Sequence, residues 1–451
     1  MVPVPAQYHH YIPRFILRTF ADNFSLIKSN TEYIATSTPG IFEPIVKQGG
    51  GKKGKTSRGR KGRGGSAGGG AGGGGGGAGG GGGRQAGAGP PPREVSHHIN
   101  VYQAVDYTTE LNDTSRAYGI YDMYRDIIPD KEMRFEKLLG NLESTSATFI
   151  RKIWSGEDLS LTRVQLADMK KFLCIMMYRG EHRWRQYHDG LLDFRTLMSV
   201  KLHMKNNNIE NVQDVWFDNL KWLIETPISD IMDEYQMAES MGPKNPFENP
   251  FMTTTEHKSP IHDLELLDFG RMAQNFVCVW HTQEGSEFIL SDNCFGAFEG
   301  DNGIPFHNFF IVSPRYAIVL VNRFYMHTPG MLAHSFKKSW FSEKLHLSPQ
   351  TVYMKGPPPP LRGIALKAHF SPNDVFKYTR IVIPKEDVYK VNSIFLDCRK
   401  KYLTYKSTVC MLKSLRFYDK VKSDEVLFTY EHDYTILKRK LFADLNRTHS
   451  S

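Results

Sequence analysis

The sequence predicts an α+β fold, in which amphipathic helices pack on a mixed, mainly antiparallel sheet. Three short apolar runs, at 288–290, 309–312 and 317–321, are bounded by Gly, Pro, Asn and Asp, which is typical of strands that end in turns. Apolar residues at three- and four-residue spacing recur on both sides of this region. Hydrophobic residues make up 40% of the 451 residues, so the chain can bury a large core.

The run at 317–321 has no polar alternation, so we expect it to be the central strand, covered on both faces. A further strand is predicted at 276–280. The turn residues at 283–285 then predict a hairpin that returns as 287–290 and joins the same sheet.

Polar residues follow two of these strands where each strand ends. A buried polar group without a partner costs about 1–3 kcal/mol, so each of them needs one. The rim of the sheet is therefore where we place a candidate site. Its residues are Ser291, Asp292 and Asn293 after the first run, and Ser313 and Arg315 after the second.

Four helices are predicted before the sheet. One covers 130–156, a second begins at Thr162 with Gln165 completing a capping box, and two more at 211–241 are separated by Pro227. Glu136 and Glu143, seven residues apart, lie on one stripe beside the apolar face of the first helix, where they can reach a pocket or remain solvated.

At the end of the second helix, Arg179 and Arg183 lie at the edge of its apolar face. Ion pairing with carboxylates such as Glu136 and Glu143 explains them without a ligand, and holding an anionic group is the alternative.

Beyond the central region the sequence predicts a helix at 331–345 and a rigid proline loop at 357–360. Strands are predicted at 364–370 and 378–383, and further helices at 385–403 and 434–445.

The N-terminal segment, YHHYIPRFILRTFAD, alternates in a way that favours a short strand or a packed extended arm after Pro13. Either imidazole of His9 and His10 can serve as an acid or a base near neutral pH. Neighbouring residues in an extended chain point to opposite faces, so the two do not share one metal ion. A packing role is the alternative.

Residues 47–93 contain five Lys and five Arg and no acidic residue, and 24 of the 39 glycines lie at 49–89. We expect a long disordered Gly-rich insertion within a single domain spanning 1–450. Its GGGKKGKT run matches a phosphate-binding loop in letters only, because no helix can follow it. The insertion can contact nucleic acid weakly, or act as a solvated tether.

Outside the insertion, 47 basic residues balance 48 acidic ones. The five cysteines are widely spaced in apolar runs, which indicates reduced core thiols and no metal site. No run is long enough to span a membrane, and no signal peptide is recognisable. We expect a soluble intracellular protein, cytoplasmic or nuclear, with no membrane partner.

Several stretches together resemble the domain of unknown function 4238, in its fungal form. They are HHYIPRFILRTFAD, RFEKLLGNLES, KKFLCIMMYRGEHR, EFILSDNCFGAFEG and FFIVSPRYAIVLVNR. The resemblance covers most of the chain outside the insertion. It implies a domain extent, but no particular activity, cofactor or catalytic residue. The positions that it marks are His9, His10, Pro13, Arg18, Glu143, Arg179, Ser291, Asp292, Asn293, Ser313 and Pro314.

Two functions fit this sequence. The first is a hydrolase for an anionic ester or phosphodiester, with His9, His10 and Asp292 as catalytic candidates and Arg179 or Arg315 holding the anion. The other binding candidates are Glu143, Ser291, Asn293 and Ser313. The second is a non-enzymatic binding or scaffold module with a basic tether that attracts RNA. The sequence identifies no cofactor, and it contains no HExxH helix and no GxSxG elbow between a predicted strand and a predicted helix.

Overall fold

The structure is a computed structural model that describes residues 7–22, 96–124, 134–241, 261–301, 304–322, 339–341, 350–353, 372, 374–423 and 434–450. These residues all belong to one structural unit, whose two chain segments flank residues 37–95. The predicted insertion at 47–93 lies outside the described residues, as do the predicted loop at 357–360, the strand at 364–370 and most of the helix at 331–345.

The strands of the described residues are β1 (Tyr8–His10), β2 (His98–Gln103), β3 (Thr108–Asp113), β4 (Gly119–Tyr121), β5 (Leu159–Thr162), β6 (Phe276–Thr282), β7 (Leu290–Ser291), β8 (Phe298–Asp301), β9 (Ile304–Ser313), β10 (Tyr316–Val321), β11 (Gln350–Tyr353), β12 (Val375–Tyr378), β13 (Ile381–Ile383) and β14 (Tyr402–Tyr405). The helices are α1 (Arg14–Arg18), α2 (Arg134–Trp154), α3 (Arg163–Tyr178), α4 (Glu181–His188), α5 (Phe194–Asn207), α6 (Val212–Glu225), α7 (Ile228–Met241), α8 (Asp263–Ala273), α9 (Lys385–Cys398), α10 (Thr408–Ser423) and α11 (Thr435–Ser450). The predicted α+β class is confirmed.

The largest sheet in this part of the chain has the strand order β13-β6-β10-β9-β8. Strand β10 is its middle strand and is buried throughout, as the unbroken apolar run predicts. Its neighbours β6 and β9 are antiparallel to it, whereas β13 is parallel to β6, so the sheet is mixed and mainly antiparallel as expected.

The run at 288–290 does not join this sheet, and the prediction of a hairpin with β6 is wrong. The turn itself forms, with the amide of Ser286 donating to Gln283 O at 3.2 Å and Gly285 at a φ of 75°. Both edges of β6 are already occupied, by β10 and β13. The returning chain therefore crosses to a second sheet, of order β3-β2-β14-β7.

The predicted helices before the sheet form, but the second ends at Tyr178, so Arg183 lies on a separate helix, α4. Helix α3 begins with the capping box of Thr162 and Gln165, and Pro227 separates α6 from α7. The indole of Trp154, at the end of α2, donates to Val312 O of β9 at 3.1 Å, which fixes this helix against the large sheet.

Two predictions for the C-terminal region need correction. The expected strand at 378–383 is two strands, because β12 pairs with β5 and β11 while β13 pairs with β6. The helix expected to reach residue 403 ends at Cys398, and the chain then forms β14 between β2 and β7. The last helix, α11, covers the region where 434–445 was predicted.

The N-terminal arm is a strand followed by a helix, and the prediction of an extended chain after Pro13 is wrong. Strand β1 pairs with β4, and α1 begins directly after Pro13. Residues Ile16, Leu17 and Phe20 are fully buried. Their spacing of one and four residues suits one face of a helix, which packs against β2 and β9.

Candidate functional site

The arm is held by hydrogen bonds from the residues that the sequence analysis singled out. Strand β1 makes ladder contacts with β4, and the ring of His10 contacts Ala117 O through Nδ1 at 2.9 Å. The hydroxyl of Tyr8 donates to Arg116 O at 2.9 Å and accepts from the amide of Gly119. The position of both histidines is therefore set by pairing between segments more than 100 residues apart.

Arg179 clamps this arm to the helices. It caps the C-terminus of α3 and is 1% exposed. Its guanidinium donates to Glu143 on α2 at 2.6 Å, to His10 O at 2.6 Å and to Tyr11 O at 3.3 Å. The predicted ion pair between helices is present for Arg179, whereas Arg183 pairs with Glu265 on α8.

His9 faces Glu136, which shares the α2 stripe with Glu143. The Nε2 atom of His9 lies 3.5 Å from Glu136 Oε1 and 3.4 Å from the side-chain oxygen of Gln7. The amide of Tyr124 donates to Nδ1 at 3.3 Å, so the proton of the neutral ring lies on Nε2 and points towards these oxygens. We name His9, Glu136, Tyr124, Glu143 and Arg179 the arm cluster.

The two members that face each other titrate far from their ordinary values. Burial raises the pKa of Glu136 to about 7, with the charge of Glu143 adding to the effect and that of Arg179 opposing it. Burial lowers the pKa of His9 to about 4, so its ring is neutral at pH 7. A carboxyl group that titrates near neutral pH can both donate and accept a proton.

Glu136 is also accessible from solvent. Its Oε1 atom is buried and makes no well-aligned hydrogen bond, yet 27% of its side chain is exposed, as is 25% of that of Glu143. The hydroxyl of Tyr124 is likewise buried without a hydrogen bond, and both carboxylates raise the pKa of this phenol further above its ordinary value. A buried polar atom without a partner is costly, and such atoms concentrate at functional sites.

Asp292 has a different set of partners from the arm imidazoles. Its carboxylate accepts from the amides of Lys400, Lys401 and Tyr402, where the chain enters β14. Burial raises the pKa of Asp292, although these three amides oppose the shift. Neither His9 nor His10 hydrogen-bonds to it, and the arm residue within its electrostatic reach is Tyr11.

The remaining predicted site residues make local contacts that shape turns. The Ser291 hydroxyl accepts from the amide of Asn293 at 3.3 Å. The Ser313 hydroxyl accepts from the amides of Arg315 and Tyr316 in the turn between β9 and β10. Arg315 donates to Thr282 O at 3.1 Å. These bonds explain the positions of the side chains without a ligand, and a binding role for them stays a prediction.

Sequence reasoning missed Tyr124 and Glu181. Glu181, at the start of α4, accepts from Lys401 at 2.9 Å and Arg185 at 2.7 Å. Burial opposes the shift, but these hydrogen bonds lower the pKa of Glu181. Tyr124 stands in an irregular stretch with no periodicity to mark it. Glu181 could have been found from the sequence, because it directly follows Gly180 at the start of a helix.

A second group of Ser, His and Glu at the edge of the large sheet does not have the geometry of a catalytic triad. His307 Nδ1 lies 3.0 Å from Glu299, and the Ser339 hydroxyl donates to the same carboxylate at 2.9 Å. A triad needs the serine and the carboxylate on opposite ring nitrogens, whereas Ser339 also approaches Nδ1, at 3.5 Å.

The cysteines and carboxylates of the described residues form no metal site. None of the five cysteines forms a disulfide, and four of them are buried. Within the same part of the chain, no group of three or more His, Cys, Asp or Glu side chains could hold a metal ion. None of its helices has the length and apolar character needed to cross a bilayer.

The fold and the arm cluster define an α+β protein with a buried His–Glu contact at a docked N-terminal strand. The chain belongs to the family described as protein of unknown function (DUF4238), whose model matches residues 8–408. That match includes the arm, both carboxylates of α2 and the turns after β7 and β9. Comparison with curated proteins and with solved structures found no match to this chain.

Proposed function

We propose that this protein is a hydrolase for an anionic ester or phosphodiester, with Glu136 as the general acid and base. The observation that carries the proposal is the 3.5 Å approach of His9 Nε2 to a partly exposed carboxyl group whose pKa is about 7. Near pH 7 both protonation states of Glu136 are populated, so one carboxyl group can take a proton from water and return it to the leaving oxygen.

His9 supports this chemistry as a neutral donor. With Nδ1 accepting from the Tyr124 amide, its Nε2–H is available to stabilise negative charge on Glu136 or on a substrate oxygen. A ring with a pKa of about 4 does not act as the base at neutral pH. This assigns His9 a role different from the acid–base role that the sequence predicts.

Arg179 contributes positive charge from a side chain that is 1% exposed and therefore offers little contact surface to a ligand. Each of its three nitrogens already donates to the arm or to Glu143. We therefore propose that Arg179 acts on an anionic substrate through its field and by positioning His9, and that His10 and Asp292 act as positioning residues.

The test uses three chromogenic substrates, p-nitrophenyl acetate, p-nitrophenyl phosphate and bis(p-nitrophenyl) phosphate. We expect the full chain to hydrolyse at least one, with a pH profile that changes slope near 7. Glu136→Gln should lower kcat at least about 100-fold and His9→Gln about tenfold, while the exposed Glu284→Gln, as matched control, should leave it unchanged. Turnover by Glu136→Gln at the rate of the unmodified protein, or no turnover of any ester, would contradict the proposal.

A binding or scaffold module is the second candidate, and the solvent-exposed apolar face of α5 favours it. Phe194 and Met198 on α5, and Leu191 shortly before it, are each more than half exposed. For the basic segment at 47–93, the corresponding proposal is weak RNA contact. Deleting 49–89 should abolish retention of RNA at low salt, and retention that persists unchanged after the deletion would refute a role for the tether.

A further inference from the structure

Helix α5 carries an exposed face that combines large apolar side chains with cations. Leu191, Phe194, Met198 and Leu202 are 64%, 76%, 51% and 37% exposed. The last three are spaced four residues apart, so they form one line along the helix. Exposed contiguous apolar surface of this kind marks an interaction site.

Cations stand beside this line. Arg195, Lys201 and Lys205 are all exposed, and each lies three or four residues from Met198 or Leu202 on the same side of the helix. Helix α5 itself contains no Asp or Glu, and its nearest acid is Asp193, whose carboxylate is occupied in capping the first turn. We name these four apolar residues and three cations the α5 face.

The opposite side of α5 is part of the protein core. Val200 is fully buried, and Met204 packs against the core. The Asp193 carboxylate accepts from the amides of Arg195 and Thr196 at 3.0 Å each, which fixes the start of the helix. The α5 face is therefore presented by a rigid helix that is already anchored, and its exposure is not the result of a frayed end.

We propose that the α5 face binds the surface of a bilayer that contains anionic lipid. A helix lying in the membrane interface places its apolar side chains at the boundary between headgroups and acyl chains, while Lys and Arg pair with anionic headgroups. A second copy of this chain would bring six like charges together. Three of the four apolar residues are more than half exposed, which suits insertion into a bilayer surface.

The inference goes beyond the proposed hydrolase function and departs from the expectation of no membrane partner. That expectation rested on the absence of a spanning segment, and an interfacial helix needs none. The α5 face includes no residue of the arm cluster, so its variants can be tested without touching the residues proposed for catalysis.

The test measures binding of the full chain to vesicles of phosphatidylcholine with 30% phosphatidylserine, and to vesicles of phosphatidylcholine alone. We expect saturable binding to the anionic vesicles only. The double variant Phe194→Ser/Met198→Ser should bind at least tenfold more weakly. The double variant Lys201→Gln/Lys205→Gln should lose affinity at 0.1 M salt and converge with the unmodified protein at 0.5 M.

The basic segment at 47–93 remains in every protein compared, so its own attraction to anionic vesicles is a constant background. The matched control Val105→Ser/Val382→Ser removes two exposed apolar residues outside α5, 75% and 57% exposed, and should bind as the unmodified protein does. Circular dichroism and the melting temperature establish that each variant is folded. Equal vesicle binding by folded Phe194→Ser/Met198→Ser and by the control would overturn the proposal.

Discussion

Glu136 shows how position on a helix and burial together set the chemistry of a residue. Its place on the α2 stripe gives it one exposed edge, while the docked arm covers its Oε1 atom. The same arm delivers the Nε2–H of His9. An ordinary glutamate thereby becomes a group poised between two protonation states at neutral pH.

We predict that Glu136 titrates near pH 7 and that Glu143→Gln lowers its pKa. The substitution removes a negative charge and leaves the positive charge of Arg179 less neutralised, and both changes favour ionised Glu136. A carbon-13 NMR titration of labelled glutamate carboxyls measures the midpoint, with Glu136→Gln assigning the signal. A midpoint near 4.5 in the unmodified protein would contradict the burial that we describe.

Arg179 is the residue on which docking of the arm most depends. Lysine offers a single ammonium in place of a planar fork, so Arg179→Lys cannot satisfy Glu143 and both arm carbonyls together. We expect a loss of about 3–5 kcal/mol in the free energy of unfolding and faster proteolysis of the arm. Arg195→Lys, on the exposed side of α5, is the control. Urea unfolding that gives the two variants equal stability would show that the clamp is unimportant.

At the scale of elements, Asp292 joins two segments that are distant in sequence. Strand β7 is only two residues long, and its pairing with β14 is supported by the three amide bonds that Asp292 accepts from residues 400–402. The short strand and the carboxylate after it work as one unit, which holds the start of β14 in the four-stranded sheet.

Asp292→Asn tests this unit. One carboxylate oxygen becomes an NH₂ group that faces amide donors, so we expect a loss of about 2–3 kcal/mol in the free energy of unfolding. The exposed Asp233→Asn on α7 should cost less than about 0.5 kcal/mol. Chemical denaturation measures both. If Asp292→Asn were as stable as Asp233→Asn, the carboxylate would have no structural role, and a catalytic role would become the better explanation.

The sequence predicts those features of these elements that depend on neighbouring residues, and it does not predict those that depend on distant strands. The capping box of α3, the break at Pro227 and the middle position of β10 follow from neighbouring residues, and all three are confirmed. The sheet that β7 joins depends on which edges β10 and β13 have already occupied, and no local pattern carries that information. The residues after Pro13 alternate as in a strand and also carry the helical spacing of Ile16, Leu17 and Phe20, and only burial of that face against β2 and β9 decides for the helix.

At the scale of the whole molecule, the candidate site also contains contacts that the sequence predicts and contacts that it does not. Arg179 and Glu143 were predicted as partners because both lie on helix edges that face a core. Glu136 faces His9 only because the arm pairs with β4, more than 100 residues away. The sequence of neither segment predicts this pairing. The sequence therefore identifies four of the five residues of the arm cluster, all but Tyr124, but it does not show that His9 and Glu136 face each other.

Burial of neutral histidines makes the stability of the whole molecule sensitive to acid. Burial lowers the pKa of His9, His10 and His262 to about 4 in the folded chain, against about 6.5 for the free side chain. Between these values the unfolded chain binds more protons than the folded one, so stability falls as the pH falls. Glu136, with a raised pKa, acts in the opposite direction between about 4.5 and 7.

We predict that the free energy of unfolding decreases from pH 6.5 to pH 4, with each histidine contributing up to about 1.4 kcal/mol per pH unit. Because Glu136 and Asp397 have raised pKa values and bind protons more strongly in the folded chain, the net slope should be shallower than the three histidines alone would give. His262→Gln, which lies outside the arm cluster, should remove one proton from the slope, and the solvent-exposed His98→Gln should leave it unchanged. Urea unfolding at half-unit pH intervals measures the slope, and an unchanged slope in His262→Gln would mean that this ring is not buried as a neutral group.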